Sequence, residues 1–259
     1  MAKNTAPPGG GPASTVTLVT GGAQGIGRGV AAAFREAGSK VVIADVDEAR
    51  AAETAAGLSG VSWVRMDVRD PASVAAATAE AAARHGGLDT LVACAGVYPN
   101  TPLPEMDPAE WDEVFAVNVR GVMLAAREFA RTPGATGTGR RIIAISSGAA
   151  RSARVGAAHY CASKAALEML VKVLALELAP SGTTVNAVAP GLIEVPATAA
   201  LAPEYIATLV AGQPVHRMGT PAEVARACLF LADPGSSFIT GSVLDVDGGF
   251  LAGTPLPPS

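Results

Sequence analysis

Short, largely apolar and often β-branched runs alternate along the chain with longer stretches whose apolar positions recur every three or four residues. The first kind occupies residues 15–20, 40–45, 61–67, 88–94, 141–145, 183–189 and 243–246; each reads as a strand, the first two as buried ones. Between them, residues 25–37 carry Ile26, Val30 and Phe34 four apart, one face of a helix that Gly38 terminates. Residues 48–56 are alanine-rich and helical. Pro71 suits the first turn of a helix running to about His85. Residues 108–131 read as one long helix with Asp107 as N-cap, and 158–178, 203–210 and 221–231 as further helices. Strands that alternate with helices in this way form βαβ units. Right-handed crossovers then give an α/β fold of Rossmann type: a doubly wound parallel sheet with helices on both faces. No internal linker or short-period repeat divides it, so a single domain is expected over residues 15–250.

Composition narrows this little but excludes several functions. The 259 residues are 49% hydrophobic with a net charge of −4, enough for a sizeable core and without a basic block for nucleic acid. Arg140-Arg141 and the spaced pair Arg151 and Arg154 read as solvated surface or a subunit contact. Cys94, Cys161 and Cys228 are odd in number and widely spaced. They suggest reduced thiols in a cytoplasmic protein, with neither a disulfide framework nor a metal cluster. Three scattered histidines show no ligand spacing, so no metal is expected. Residues 1–14 and 251–259 are rich in Pro and Gly and read as flexible tails, the first without the apolar core of a signal peptide. No apolar run is long enough to span a bilayer.

The candidate chemistry sits at the junctions of these elements. Gly21, Gly25 and Gly27 lie between the first strand and its helix, where glycines permit a tight turn and a close approach to a pyrophosphate at a helix N-terminus. Their spacing is G-x-x-x-G-x-G. Asp45 ends the second strand, where an acid binds ribose hydroxyls and repels a 2′-phosphate. Neither Gln24 nor Val46 is basic, so the cofactor expected is NAD. Tyr160 and Lys164, four apart, share one face of a helix. The ammonium is expected to lower the phenol pKa toward the working range of a general acid/base. Ser146 and Ser147 both end a strand, and alternation lets only one face a pocket.

With Asp67-Val68, Ala95-Gly96, Asn118, Pro190-Gly191 and the run Asp245–Gly249, these motifs stand in the order that resembles the short-chain dehydrogenase/reductase family across nearly the whole chain. The resemblance implies a catalytic set of Asn118, Ser147, Tyr160 and Lys164. Tyr160 would act as acid/base, Ser147 would bind the substrate oxygen, Lys164 would hold the nicotinamide ribose and Asn118 a relay water. It further implies a dinucleotide site of Gly21, Gln24, Gly25, Ile26, Gly27, Asp45, Asp67, Val68, Ala95, Gly96, Asn118, Tyr160, Lys164, Pro190, Gly191 and Ile193. Asp67 and Val68 would flank the adenine, and Ile193 the carboxamide. The expected activity is NAD-dependent interconversion of a secondary alcohol and a ketone by a homotetramer, with no nucleic-acid or membrane partner. An NADPH-dependent 3-oxoacyl-thioester reductase and a non-catalytic dinucleotide sensor are the alternatives.

Two departures from the family pattern stand out: Ala93-Cys94 in place of paired asparagines, and Val195 where a threonine is usual. Without a G-x-S-x-G elbow, a Ser147–His159 hydrolase is not expected, and His159 reads as an exposed loop residue. Tyr98, Ala149, Ala157, Ile193 and residues 192–212 are expected to shape a mostly apolar substrate pocket without a clamp for a phosphate or diacid. Tyr98-Pro99 hints at an aromatic or alicyclic substrate.

Overall fold

The apolar strands assemble as their patterning requires. A computed structural model describes residues 15–253 apart from 138 and 200, so the two Pro-rich segments 1–14 and 254–259, read as flexible tails, lie outside the described residues. Among the described residues, seven parallel strands form one sheet in the order β3-β2-β1-β4-β5-β6-β7. They are β1 (Val16–Thr20), β2 (Lys40–Asp45), β3 (Val61–Arg65), β4 (Thr90–Ala93), β5 (Arg140–Ile145), β6 (Thr183–Pro190) and β7 (Val243–Val246). The helices are α1 (Gly25–Glu36), α2 (Glu48–Gly57), α3 (Pro71–His85), α4 (Pro108–Phe115), α5 (Val122–Arg131), α6 (Ala158–Leu178), α7 (Pro196–Ala199), α8 (Pro203–Ala211) and α9 (Pro221–Ala232).

Strand alternation divides the core between the two faces of the sheet. Leu18, Val42 and Leu91 face one way and pack with Val74 of α3, Phe129 of α5 and Leu167 of α6. Val19, Ile43 and Val92 face the other and pack with Val30 and Phe34 of α1 and Val224 and Leu231 of α9. Two covered faces explain why the central strands read as largely apolar runs.

Two details differ from the sequence expectation. The long helix expected over 108–131 is interrupted by a π-helical segment, Ala116–Gly121, which periodicity cannot reveal and which carries Asn118. Ordered chain also continues past residue 250 in a 3-10 turn, Phe250–Ala252, and a Cβ built on Gly148 lies only 3.7 Å from Leu251. Regular structure thus extends two residues beyond residue 250.

Sheet order reverses direction of winding between β1 and β4. The crevice outside the carboxyl ends of the strands at that switch point is where such sheets bind ligands.

Candidate active site

A cleft of about 540 Å³ opens at this crevice. Its floor is the turn from β1 into α1. Gly21 has φ 63°, its N–H donates to the Ala44 carbonyl at 2.8 Å, and a Cβ there would stand 2.7 Å from the Ala95 backbone. A Cβ on Gly27 would stand 2.1 Å from the Gly21 carbonyl oxygen, so only glycine lets the helix start this close to the strand. Gln24 caps α1 without a side-chain hydrogen bond to its first turn; its Oε1 instead accepts from Arg50. The first-turn N–H groups and the positive dipole end thus have no side-chain cap, beside a cleft lined by Gly21, Gly25 and Gly27. This fits a dinucleotide pyrophosphate.

Around this floor, Asp45 directs Oδ2 to the Ala23 N–H at 3.0 Å and Oδ1 to the Asp47 N–H at 3.1 Å, fixing its carboxylate beside the turn. Arg50 does not line the cleft; it is engaged by Gln24 and, at 3.7 Å, by Asp47. Asp67 receives two hydrogen bonds from the Arg69 guanidinium, at 2.8 and 2.6 Å, which with the Arg69 N–H hold its carboxyl down at about 2 despite partial burial. Arg69 also pairs with Glu113 at 2.7 Å. Val68 packs where a Cβ on Gly121 would come within 2.9 Å of it. On the far wall, the Gly191 N–H donates to Val246 at 3.0 Å, and Ile193 bridges to Gly219.

The first turn of α6 brings the reactive groups together. Tyr160 is half-buried and lines the cleft together with Ser147. Of the two serines, Ser146 donates to Glu168 at 3.0 Å, while the Ser147 hydroxyl accepts the Ala149 N–H at 3.1 Å at the edge of the cleft. Lys164 is buried and donates from Nζ to the Ile145 carbonyl at 2.8 Å, 5.8 Å from the Tyr160 ring centroid. Burial lowers its pKa to about 8, against a smaller opposing effect of Cys94, whose own thiol burial pushes up to about 12. Asn118 is fully buried. Its amide exchanges two 2.9 Å hydrogen bonds with the Val97 backbone and donates to Ser163 at 3.1 Å.

The expected phenol pKa is corrected by this arrangement. Burial raises the Tyr160 pKa above the ordinary 10.0; hydrogen bonding to Ser147 and the charge of Arg154 oppose it only partly. Desolvation outweighs the opposing charge of Arg154; Tyr98 packs against the ring in an edge arrangement with centroids 6.2 Å apart.

Every expected cofactor and catalytic residue lines this one cleft except Asn118, which lies behind Gly96 as a brace. Of the expected pocket-shaping residues, Tyr98 and Ile193 line it; Ala149 and Ala157 do not, and 192–212 contributes only Leu192, Ile193 and Val195–Thr198. Ala157 is wholly buried in packing. His159 is likewise fully buried inside α6, not an exposed loop residue.

Two cleft side chains received no individual role from the sequence: Arg154, and Thr198, which was named only within the stretch 192–212. Arg154, read as surface, lines the cleft with its guanidinium carbon 5.6 Å from the Tyr160 ring centroid, while Arg151 instead pairs with Asp245 and Glu168. Thr198 lines the cleft three residues beyond Val195, its hydroxyl held by the Ile193 and Val195 backbone. No motif marks either residue: Arg154 is placed by a loop and Thr198 by the short helix α7.

Comparison with known proteins places the chain among oxidoreductases. A family model described as enoyl-(acyl carrier protein) reductase matches residues 21–251. The cis-4-hydroxycyclohexanecarboxylate dehydrogenase of Sinomonas cyclohexanicum is 42% identical over 245 residues, covering 93% of this chain and 98% of that protein. The 3-oxoacyl-(acyl-carrier-protein) reductase of Escherichia coli is 36% identical over 236 residues, covering 90% and 96%. The crystal structure of a dehydrogenase/reductase from Sinorhizobium meliloti superposes with a TM-score of 0.86 at 36% identity, covering 92% of this chain and 95% of the other.

Proposed function

The chain belongs to the short-chain dehydrogenase/reductase family of oxidoreductases acting on CH–OH groups, and on that premise we propose that it uses NAD to interconvert a ring-bearing secondary alcohol and its ketone. The observation that carries the reading is the convergence of Ser147, Tyr160 and Lys164 on a cleft whose opposite end holds Asp45.

Gly21, Gly25, Ile26 and Gly27 would hold the pyrophosphate, Asp45 the adenosine ribose, and Pro190, Gly191 and Ile193 the nicotinamide end. When bound there, NAD supplies the hydride acceptor for oxidation and its reduced form the hydride donor for reduction. The protein's part is proton movement and positioning. The Tyr160 phenolate accepts the hydroxyl proton of an alcohol; in the reverse direction the phenol donates it to the carbonyl oxygen. Ser147 presents its hydroxyl to the same oxygen. Lys164, buried and anchored on Ile145, sits below the phenol as the nearest cation on α6. Asn118 fixes the Val97 backbone and so the wall that carries Tyr98.

NAD is favoured over NADP because the Asp45 carboxylate stands at the ribose end while Arg50, the nearby cation, is engaged elsewhere. A ring-bearing substrate is favoured by the Tyr98 edge over Tyr160 and by the relative that acts on a hydroxycyclohexane. The second reading, NADPH-linked 3-oxoacyl-thioester reduction, draws support from an open, mostly apolar groove of about 490 Å³ beyond Tyr98, bordered by Val97, Pro99, Val114 and Ala197. Asp45 argues against it.

A homotetramer is also proposed: Met169, Val173 and Leu176 of α6 leave apolar surface exposed that a two-fold mate would cover. Cytoplasmic location is proposed from three free cysteines. No helix among the described residues is long and apolar enough to cross a membrane. The test is a panel of cyclic and acyclic secondary alcohols with NAD and NADP, read by absorbance of the reduced nicotinamide. Turnover confined to 3-oxoacyl thioesters with NADPH would replace the first reading by the second.

A further inference from the structure

Three cations line the cleft: Arg69, Arg154 and Lys164. Arg69 is neutralised by Asp67 and Glu113. Lys164 is buried and bonded to the Ile145 carbonyl. Arg154 differs from both: it is exposed, and among the described residues no carboxylate lies within ion-pair distance of it. Its guanidinium nonetheless stands over the reactive ring, 5.6 Å from the Tyr160 centroid.

The loop that carries Arg154 is built, not loose. The Ala157 N–H returns to the Arg154 carbonyl at 3.2 Å, and the Gly156 carbonyl accepts the Thr101 N–H at 2.7 Å. Gly156, at φ 77°, lies so close to Asn100 that a Cβ would come within 2.7 Å of its amide. The loop is thereby clasped to the segment bearing Tyr98, and the two together frame the substrate end of the cleft.

The acids distribute asymmetrically around that end. Glu110 and Glu113 border the groove beyond Tyr98. Glu110 is engaged by His159 and Thr101, and Glu113 by Arg69. An anionic substituent would be repelled on that side and attracted on the Arg154 side. A guanidinium presents paired N–H donors that match a carboxylate bidentately.

We propose that Arg154 is a specificity-determining residue that binds a carboxylate on the substrate, so that the preferred alcohols are ring-bearing hydroxy acids. This rests on the oxidoreductase reading for the identity of the reacting group, but not for the binding of the anion. The Arg154 charge also favours the Tyr160 phenolate, so a substrate carboxylate seated on Arg154 is coupled electrostatically to the acid/base group.

The test uses the full-length protein saturated with NAD, as wild type and as Arg154→Gln and Arg154→Lys. Arg154 is exposed, and unchanged circular dichroism and thermal unfolding check that each variant folds. Turnover is compared for one ring-bearing secondary alcohol as its carboxylate and as its neutral carboxamide. Wild type is expected to favour the carboxylate at least about tenfold in kcat/KM, mostly through KM, with the ratio collapsing toward one in Arg154→Gln and partly kept in Arg154→Lys. Calorimetric titration with cyclohexanecarboxylate and cyclohexanecarboxamide, which carry no hydroxyl to oxidise, repeats the comparison without chemistry. If neither alcohol turns over yet the wild type binds the carboxylate more tightly and Arg154→Gln removes the difference, the anion site stands and the alcohol reading falls. Equal binding of acid and amide by the wild type, or a preference that Arg154→Gln leaves intact, overturns the inference.

Discussion

The imidazole of His159 spans two elements: its Nε2 lies 2.7 Å from Oε1 of Glu110 on α4, and its Nδ1 accepts the backbone N–H of Tyr160 at 2.8 Å. An accepting Nδ1 leaves the proton on Nε2, so the ring is the neutral tautomer donating to Glu110. Glu110 also takes the Thr101 hydroxyl at 2.7 Å, and these two bonds hold its carboxyl below the usual carboxylate range. The first turn of α6 has no N-cap side chain, and His159 supplies one of its missing acceptors from within.

His159→Ala should therefore loosen the turn that carries the reactive phenol. It leaves a buried cavity and an unsatisfied Tyr160 N–H, and the expected loss is about 2–4 kcal/mol of stability. The value of kcat should fall more than KM rises, because Tyr160 is displaced while most of the binding wall is kept. Glu110→Gln retains an acceptor and should be milder on both counts. Urea unfolding and steady-state kinetics check this; an unaltered unfolding midpoint for His159→Ala would show that the contact contributes nothing.

The contrast between His159 and its neighbour shows what the sequence could reveal. Tyr160 and Lys164 were legible because a fixed helical spacing puts them on one face, and the glycine turn because strand, glycines and helix occur in one order. The parallel sheet was legible because its central strands, covered on both faces, leave largely apolar runs. His159 was not, since its burial depends on Glu110 arriving from 49 residues away. Arg154 was hidden for the same reason: it reaches the cleft only through a loop clasped to Thr101. The π-helical turn at Asn118 has no periodic signature, and the elevated phenol pKa follows from burial, which spacing does not encode.

Tyr160→Phe removes the hydroxyl that exchanges the proton and little volume. Turnover should fall at least about a hundredfold, the usual worth of a positioned acid/base. NAD affinity, measured by calorimetry, should change little, because the glycine turn and Asp45 lie at the other end of the cleft. Turnover near that of the wild type on an established substrate would remove Tyr160 from its assigned role.

Asp45→Ser should narrow the cofactor preference. In the wild type the fixed carboxylate opposes a 2′-phosphate, and a preference for NAD above about tenfold, or 1.4 kcal/mol, is expected. Serine keeps a hydroxyl near the Ala23 N–H and removes the charge. The ratio of kcat/KM for NAD to that for NADP should drop by most of its wild-type value. A wild-type enzyme that turns over NADP as well as NAD would contradict the assignment before the variant is made.

Oxidation and reduction should respond to pH in opposite directions. Burial raises the Tyr160 pKa above 10.0, so across the neutral range the phenol is protonated and only a small fraction is phenolate. Alcohol oxidation draws on that fraction, so its kcat/KM should climb as pH rises from neutral. Lys164 adds a second titration, because burial brings its pKa down to about 8. Below that value its ammonium, 5.8 Å from the ring centroid, favours the phenolate; above it the charge is lost and the climb should become shallower. Ketone reduction needs the protonated phenol and should hold or improve toward lower pH. Lys164→Met should abolish the break near 8 while keeping the general rise. The measurement is kcat/KM against pH in both directions, with a carbinol-deuterated alcohol to establish that hydride transfer limits the rate, since slow cofactor release can mask the profile. With transfer limiting, a flat oxidation profile from neutral to alkaline pH would exclude Tyr160 as the base, and a break near 8 that survives Lys164→Met would belong to another group.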